Sequence, residues 1–367
     1  MLTACKTTRG NLALFGGSKK HYIGLDIGSD SVKAALVEVS TKKSTIHKFV
    51  IEKIPNNPLA EGEVIQPEAL EPVIASVIKK LKLGKRKINV GLVGSAVMVK
   101  KVSIPKVDDN MLSDQVRWEA EQYIPFDLGS VNLDYVTLEA QSSGDAETID
   151  ILIVAAQKNH LRKVVSAVEA SGYKVGNVDV SGFAVANIFN YNYGDIHDQA
   201  VALLDIGAFF THFVVVHRGE VIFCRDLPVG GSFFTQEIQT AAEISYFEAE
   251  RFKVGPEGSM PDVAAQAIEN ALDSVCDQIQ GSFEFFLNTT QGISLSHVFL
   301  TGGAAKTKGL AQALGRVLEL PTDFLDPRRV LDIRPGALED DEDEVALKGS
   351  VALGLSLRLE GDADDQG

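Results

Sequence analysis

Three cysteines in 367 residues, Cys5, Cys224 and Cys276, are too few and too scattered for a disulfide framework. None belongs to a Cys-x-x-Cys pair, which argues against a thiolate zinc site and fits a reducing compartment. No apolar run approaches the ~20 residues of a membrane-spanning helix. The longest, Val201 to Val216, is interrupted by Asp205. Bases are scarce relative to acids, 35 against 50, for a net charge of −15. Such a body repels phosphate backbones, so nucleic acid is not an expected partner. A single nucleotide is still admissible, because backbone amides act locally. A hydrophobic share of 45% excludes a disordered chain, and the length suggests two domains.

The charge is uneven. Residues 338–367 hold ten acids against Lys348 and Arg358, while residues 1–20 hold four bases and no acid. Residues 1–20 lack periodicity and read as a flexible leader. Leu2-Thr3-Ala4-Cys5 looks like a lipoprotein box but lacks the apolar segment of a secretion signal. Residues 359–367 read as an acidic, disordered tail, the wrong charge for a basic membrane-anchoring helix. His160, His197, His212, His217 and His297 form no ligand-spaced set, so no histidine metal cluster is expected.

One tetrapeptide occurs twice. Leu25-Asp26-Ile27-Gly28 leads into Ser29-Asp-Ser-Val-Lys33, and Leu204-Asp205-Ile206-Gly207 leads into Ala208-Phe-Phe-Thr211. The copies stand 179 residues apart, about half the chain. Each is followed by a β-branched apolar run, so each reads as strand, glycine turn, strand. A dinucleotide-binding unit would place a helix after its glycine loop, which makes a dehydrogenase a poor reading. Glycine lets the turn amides converge on one spot, and a hydroxyl such as Ser29 adds a donor. An aspartate at each strand end suits a magnesium ion held through water. A single copy would pass for a plain hairpin, but two facing copies would clamp a polyphosphate. Ser296 to Gly303 adds an apolar strand ending in Thr301-Gly302-Gly303, with a helix expected over Ala304–Leu314. Bare backbone there suits a flat ligand, although an ordinary strand–helix turn would look the same.

Two Asp-Ile-Gly hairpins followed by Thr-Gly-Gly, in this order over residues 21–358, resemble the actin-like ATPase superfamily. Within it, Arg117-Trp118-Glu-Ala-Glu121-Gln-Tyr123-Ile-Pro125-Phe126, with Val178-Asp179-Val-Ser-Gly-Phe183, is similar to the PilM family of type IV pilus assembly. The resemblance implies an α/β, bilobal actin-like fold, with mixed sheets flanked by helices and an inserted small α+β subdomain. It implies ATP and Mg²⁺ as cofactors. Asp26, Gly28, Ser29 and Lys33 match the first phosphate motif; Asp205, Gly207 and Thr211 match the second. Gly302 and Gly303 match the adenosine motif, and Glu250 and Lys253 the helix that contacts base and ribose. Asp26 and Asp205 are the carboxylates for Mg²⁺, and Asp205 is the candidate catalytic group. Gly349 and Gly354 match a closing helix in which small residues permit close packing.

The segments then divide as a first lobe over 21–87 and 158–198, the insertion over 88–157, a second lobe over 199–344 with a helical part at about 228–292, and a closing helix over 345–358. The insertion reads as strands Ile88–Val93, Val97–Ile104, Val131–Ala140 and Thr148–Ala155 around a helix Asp109–Ile124. Leu112, Val116, Ala120 and Tyr123 fall on one face of that helix. Trp118 lies off this stripe, which leaves packing on the neighbouring lobe or partner contact open.

The resemblance also implies a groove that takes the cytoplasmic N-terminal peptide of a PilN-like inner-membrane protein. It adds contacts with other machine components and self-association. Arg117, Trp118, Tyr123 and Phe126 are the candidate groove residues, chosen by proximity alone. The implied place is cytoplasmic, peripheral to the inner membrane. Lys79, Lys80, Lys82, Lys85, Arg86 and Lys87 read either as a solvated helix end or as a face toward anionic lipid. Phe283, Phe285 and Phe286 are expected in the core. Phe209 and Phe210 depart from the pattern, since rings offer phosphate no donor; they either turn inward or weaken binding. An ATP-binding scaffold is the leading expectation. An active ATPase and an FtsA-like membrane-tethered filament protein are the alternatives. A sugar kinase fits poorly, for want of a placed catalytic aspartate.

Overall fold

The computed structural model describes residues 20–358, except 41–42, 56–58, 61–62, 65, 83–85, 139–146, 197, 256–259, 291 and 339–341. The expected leader up to Lys19, the tail 359–367, Lys85 and His197 therefore lie outside the described residues.

Strands β1 (Lys20–Ile27), β2 (Ser31–Val39) and β3 (Thr45–Lys53) form an antiparallel meander. After a two-residue ribbon, β4 (Leu59–Ala60) with β5 (Glu63–Val64), helix α1 (Pro67–Leu81) crosses over to β6 (Lys87–Leu92), parallel to β1. Proline in the first turn of α1 and a left-handed Lys82 after its last turn delimit that helix. Lys80 at its end pairs with Glu52 at 2.7 Å.

A separate three-stranded sheet follows, built from β7 (Val97–Pro105), β8 (Val131–Thr137) and β9 (Thr148–Gln157) and covered by α2 (Asp109–Tyr123). Val116 and Ala120 of α2 join Ile104, Ile151 and Ile153 in a core of their own. The chain then runs through α3 (Lys158–Ala170), β10 (Lys174–Val180) and α4 (Ser181–Asn192).

The second lobe begins with β11 (Ala200–Ile206), β12 (Thr211–His217) and β13 (Glu220–Leu227). Its helices are α5 (Gly231–Ala242), α6 (Tyr246–Val254) and α7 (Asp262–Thr289). Then come β14 (Leu295–Thr301), α8 (Leu310–Leu318) and β15 (Thr322–Phe324). The sheet order is β13-β12-β11-β14-β15. Every residue of β11 is buried, as a strand covered on both faces requires. Finally β16 (Asp332–Ile333) and α10 (Ser350–Ser356) return to the first lobe, whose sheet order is β10-β6-β1-β2-β3-β16, while α9 (Glu342–Lys348) between them meets the end of β14.

The two-lobed α/β architecture agrees with expectation; several boundaries do not. The strand assigned to the start of the insertion is β6, which pairs with β1 and β10 in the first sheet. Its near-continuous burial suits a central parallel strand, so the insertion starts after Leu92. Residues 332–338, counted with the second lobe, close on the first sheet: β16 pairs with β3, and Phe49 donates its amide to Ala337. The helix expected from Ala304 is a 3₁₀ turn over Gly303–Lys306, with α8 starting at Leu310. Within α2, Tyr123 is 43% exposed and Ile124 is buried in its place. Trp118 is 59% exposed, so it does not pack on the neighbouring lobe. Phe283 and Phe286 are core residues, but Phe285 is not.

Gly354 explains how the closing helix docks. A Cβ there would stand 1.9 Å from the Ala184 carbonyl oxygen of α4, so only glycine allows this approach. Beside it, the Asn89 side-chain amide donates to the carbonyls of Leu355 and Arg358.

Candidate functional site

The two hairpins face each other across a cleft of about 540 Å³. The β1–β2 hairpin brings Asp26, Gly28, Ser29 and Lys33 to it; the β11–β12 hairpin brings Asp205 and Gly207. Gly302 and Gly303 close the third side, and Glu250 and Lys253 arrive from α6. Ten of the eleven residues expected to touch nucleotide thus line one cavity.

Lys33 Nζ donates to Asp26 Oδ2 at 2.9 Å. Burial works against its charge, but the carboxylates of Asp26, Asp205 and Asp30 outweigh this and hold its pKa above the ordinary lysine value. Burial pushes the Asp205 carboxyl up, with His212 opposing. Gly302 has φ +90, and a Cβ there would lie 2.4 Å from the Ile206 carbonyl oxygen and 2.5 Å from Asp205 Oδ1. The Thr-Gly-Gly turn therefore sits on the second hairpin as bare backbone. Its Thr301 hydroxyl donates to the Leu347 carbonyl at 3.0 Å, tying the turn to α9.

Thr211 is the exception. Its hydroxyl is buried and donates to the Val229 carbonyl at 2.8 Å, away from the cleft. Alternation along β12 then turns the next residue inward, and His212 lines the cavity instead. His212 Nδ1 lies 2.6 Å from Asp226 Oδ1 and Nε2 4.0 Å from Asp205 Oδ2. Burial lowers its pKa, but Asp226, Asp205 and Asp26 raise it from 6.5 to about 9. Those carboxylates favour the protonated ring, a positive group that motif spacing did not reveal. Lys53, Ser232, Tyr246, Lys306 and Lys348 also line the cleft and were not anticipated. They come from β3, α5, α6, the 3₁₀ turn and α9, which only the tertiary fold assembles.

Two roles expected of backbone and lysine are spent on structure. The Gly28 amide donates to Ser31 O at 3.1 Å and the Gly207 amide to Phe210 O at 2.8 Å, each closing its own hairpin. Lys253 is buried and donates to Gly231 O, Thr235 Oγ1 and Glu250 Oε1, which uses all three ammonium protons. It fastens α6 to the start of α5. Phe210 is buried in the cleft floor, whereas Phe209 is 43% exposed at its edge.

The cleft therefore offers Lys33, His212, Lys306 and Lys348 to anionic oxygens, and Asp26 and Asp205 to a hard cation. The donor set fits a magnesium polyphosphate: cations and carboxylates face each other with bare backbone beside them.

A second groove, about 970 Å³, runs between the insertion and the second lobe. It is lined along β7 from Val97 to Ser103, along β13 from Ile222 to Asp226, and by Phe285 from α7. Both β7 and β13 are edge strands of their sheets. None of Arg117, Trp118, Tyr123 and Phe126 lines either cavity. Phe126 packs on the insertion's own core, and Tyr123 lies under Lys100 Nζ at 5.4 Å. α2 covers the face of the small sheet while this groove follows its β7 edge, so these four residues stand apart from its lining.

Comparison with known proteins gives a consistent picture. A family model described as type IV pilus assembly protein PilM matches residues 24–360. A solved PilM-PilN type IV pilus biogenesis complex contains a chain 28% identical to this one, with a TM-score of 0.81, covering 93% of this chain and 99% of that chain. The cell division protein FtsA of Streptococcus pneumoniae serotype 2 is 22% identical over 354 residues, 90% of this chain and 72% of its own length. FtsA of Bacillus subtilis strain 168 is 21% identical over 257 residues, 63% of this chain, and the match spans 57% of that protein. The ethanolamine utilization protein EutJ of Carboxydothermus hydrogenoformans, 13% identical with a TM-score of 0.55 over 92% of this chain and 89% of its own, shares the fold.

Proposed function

The chain belongs to the type IV pilus assembly protein PilM family and has its actin-like fold, and from this we propose that it is an ATP-binding scaffold whose groove captures a membrane protein's peptide. Mg-ATP occupies the cleft between the lobes. The observation that carries this is the convergence of Asp26, Lys33 and Asp205 from two half-chain repeats on one cavity. Lys33 and the protonated His212 meet the phosphate oxygens. Asp26 and Asp205 hold Mg²⁺ through its water shell. Bound magnesium supplies charge neutralisation between the phosphates and these two carboxylates. Gly302 and Gly303 support the nucleoside, with Glu250 within the same cavity.

The N-terminal peptide of a PilN-like inner-membrane protein lies in the groove between β7 and β13. An edge strand presents unpaired backbone groups, and an extended peptide satisfies them by adding a strand. Val97 and Val99 offer it apolar surface, and Phe285 an aromatic anchor. Through that partner the chain is held at the cytoplasmic face of the inner membrane. No helix among the described residues is long and apolar enough to cross a membrane.

Titration of Mg-ATP into the full chain, followed by a synthetic PilN-type peptide, tests both halves. Micromolar nucleotide binding, about −8 kcal/mol, lost in Asp26→Ala, is the expected result. No heat from a folded protein would overturn the nucleotide half and leave a scaffold defined by its groove. Turnover is a second reading, favoured by the buried Asp205 carboxyl whose pKa is raised. Steady phosphate release abolished in Asp205→Ala would support it.

A further inference from the structure

Away from both clefts, three adjacent strands bring two imidazoles to one carboxylate. His21 of β1 and Glu38 of β2 are direct cross-strand partners. His21 Nε2 lies 3.6 Å from Glu38 Oε2. The register between β2 and β3 then shifts: Leu36 faces Lys48 while Val37 faces Ile46, leaving His47 as the extra residue of a β-bulge. Bulges re-aim side chains, and His47 Nε2 stands 3.4 Å from the same Glu38 Oε2. The two rings meet edge to face, with centroids 4.7 Å apart. One ligand atom from each of the three residues lies within 4.8 Å of the others. Their side chains are 25%, 13% and 18% exposed for His21, Glu38 and His47, so the cluster is sheltered but open to solvent.

The separations are those of loose histidine–carboxylate ion pairs and also of two ligands on one metal ion. A hydrogen bond from imidazole to carboxylate would close to about 2.7–3.2 Å. Both contacts are longer. With metal–ligand bonds of about 2.0–2.2 Å, however, two ligands of a tetrahedral zinc ion stand about 3.3–3.6 Å apart. Both observed nitrogen–oxygen distances match that edge. We propose that His21, Glu38 and His47 form a site for a divalent transition-metal ion, zinc fitting best. Two imidazoles and one carboxylate supply three ligands and leave a fourth position for water. Because the ligands stand on paired strands, little rearrangement is needed to close on the ion. A further charged group at the cluster is Arg334, just after β16, whose Nη1 lies 3.4 Å from His47 Nδ1. With zinc on Nε2, Nδ1 carries the proton and the exposed guanidinium swings outward, so Arg334 opposes occupancy. His21 and His47 are not among the five histidines weighed for ligand spacing; strand pairing and the bulge bring these two together.

The test is a zinc titration of the untagged full chain by calorimetry, with excess Mg²⁺ to mask the cleft carboxylates. One zinc per chain at micromolar affinity is expected. Glu38→Gln and His47→Gln, both of which keep a polar side chain on the strand, should weaken it at least about tenfold, the lower end of what losing even an outer-shell partner costs. Arg334→Ala should tighten it severalfold. Cobalt substitution should give the intense visible bands of tetrahedral nitrogen and oxygen ligation. Absence of zinc binding, unchanged binding in folded Glu38→Gln and His47→Gln, or a thiolate charge-transfer band from a cysteine site would each overturn the proposal.

Discussion

His212 Nδ1 lies 2.6 Å from Asp226 Oδ1, and the other oxygen of Asp226 accepts the Gly94 amide at 2.8 Å. His212 lines the inter-lobe cleft; Gly94 and Asp226 line the groove beside the insertion. One carboxylate thus joins the candidate nucleotide site to the turn from which the insertion departs. Phe210 borders both cavities as well.

This pair sets a pH dependence. A group whose pKa rises on folding stabilises the fold fully below its unfolded value and loses that contribution as pH climbs through the folded value. For His212 the window runs from 6.5 to about 9. In protein free of nucleotide and divalent ions, unfolding free energy should fall across that window by up to about 3 kcal/mol. Urea denaturation at a series of pH values reads the slope. Asp226→Asn should flatten it, and an unchanged slope in that variant would remove His212 as its source.

Thr211→Val separates a structural role from a phosphate-binding one. The hydroxyl donates to Val229 within a buried turn. The variant should lose about 1 kcal/mol of stability while its affinity for Mg-ATP stays within about twofold. A tenfold loss of affinity in a protein of unchanged stability would return Thr211 to the phosphate site.

Two glycines should respond differently. Gly354→Ala forces a methyl against the Ala184 carbonyl, an overpacking cost of about 1–3 kcal/mol. Gly302→Ala meets both a positive φ and the Asp205 carboxylate, so it should lower stability and abolish nucleotide binding together. Chemical denaturation and nucleotide titration of both variants distinguish the helix-docking glycine from the cleft glycine.

Phe285→Ala should weaken peptide binding about tenfold, since an aromatic anchor at the groove wall is lost. Trp118→Ala, despite that residue's exposure, should leave it within about twofold. Fluorescence anisotropy of a labelled peptide measures both. The reverse ranking would move the groove to the outer face of α2.

Much of the cleft was legible because its chemistry is local. Asp26 and Gly28 sit two residues apart in one turn, as do Asp205 and Gly207, so strand periodicity and turn chemistry fix their geometry wherever the hairpins go. The repeat of that motif marked the two lobes, and the boundaries blurred where a segment's partner is distant. β6 reads as part of the insertion until its pairing with β1 and β10 is seen, and residues 332–338 read as second lobe until they close on β3. The inward turn of His212 rather than Thr211 follows from β-alternation, but which of the two faces the cleft depends on which side of the sheet the other lobe covers.

By itself, then, the order of residues determined the two Asp-Ile-Gly hairpins, the Thr-Gly-Gly turn and the family, because short-range backbone geometry and motif order carry them. Tertiary structure alone decided that Lys253 is consumed by Gly231 and Thr235 of α5, and that β7 and β13 face each other across a groove. It also brought His21 and His47, 26 positions apart, to the same carboxylate oxygen of Glu38. These depend on register, bulges and lobe packing, where contacts form between residues that no local periodicity connects.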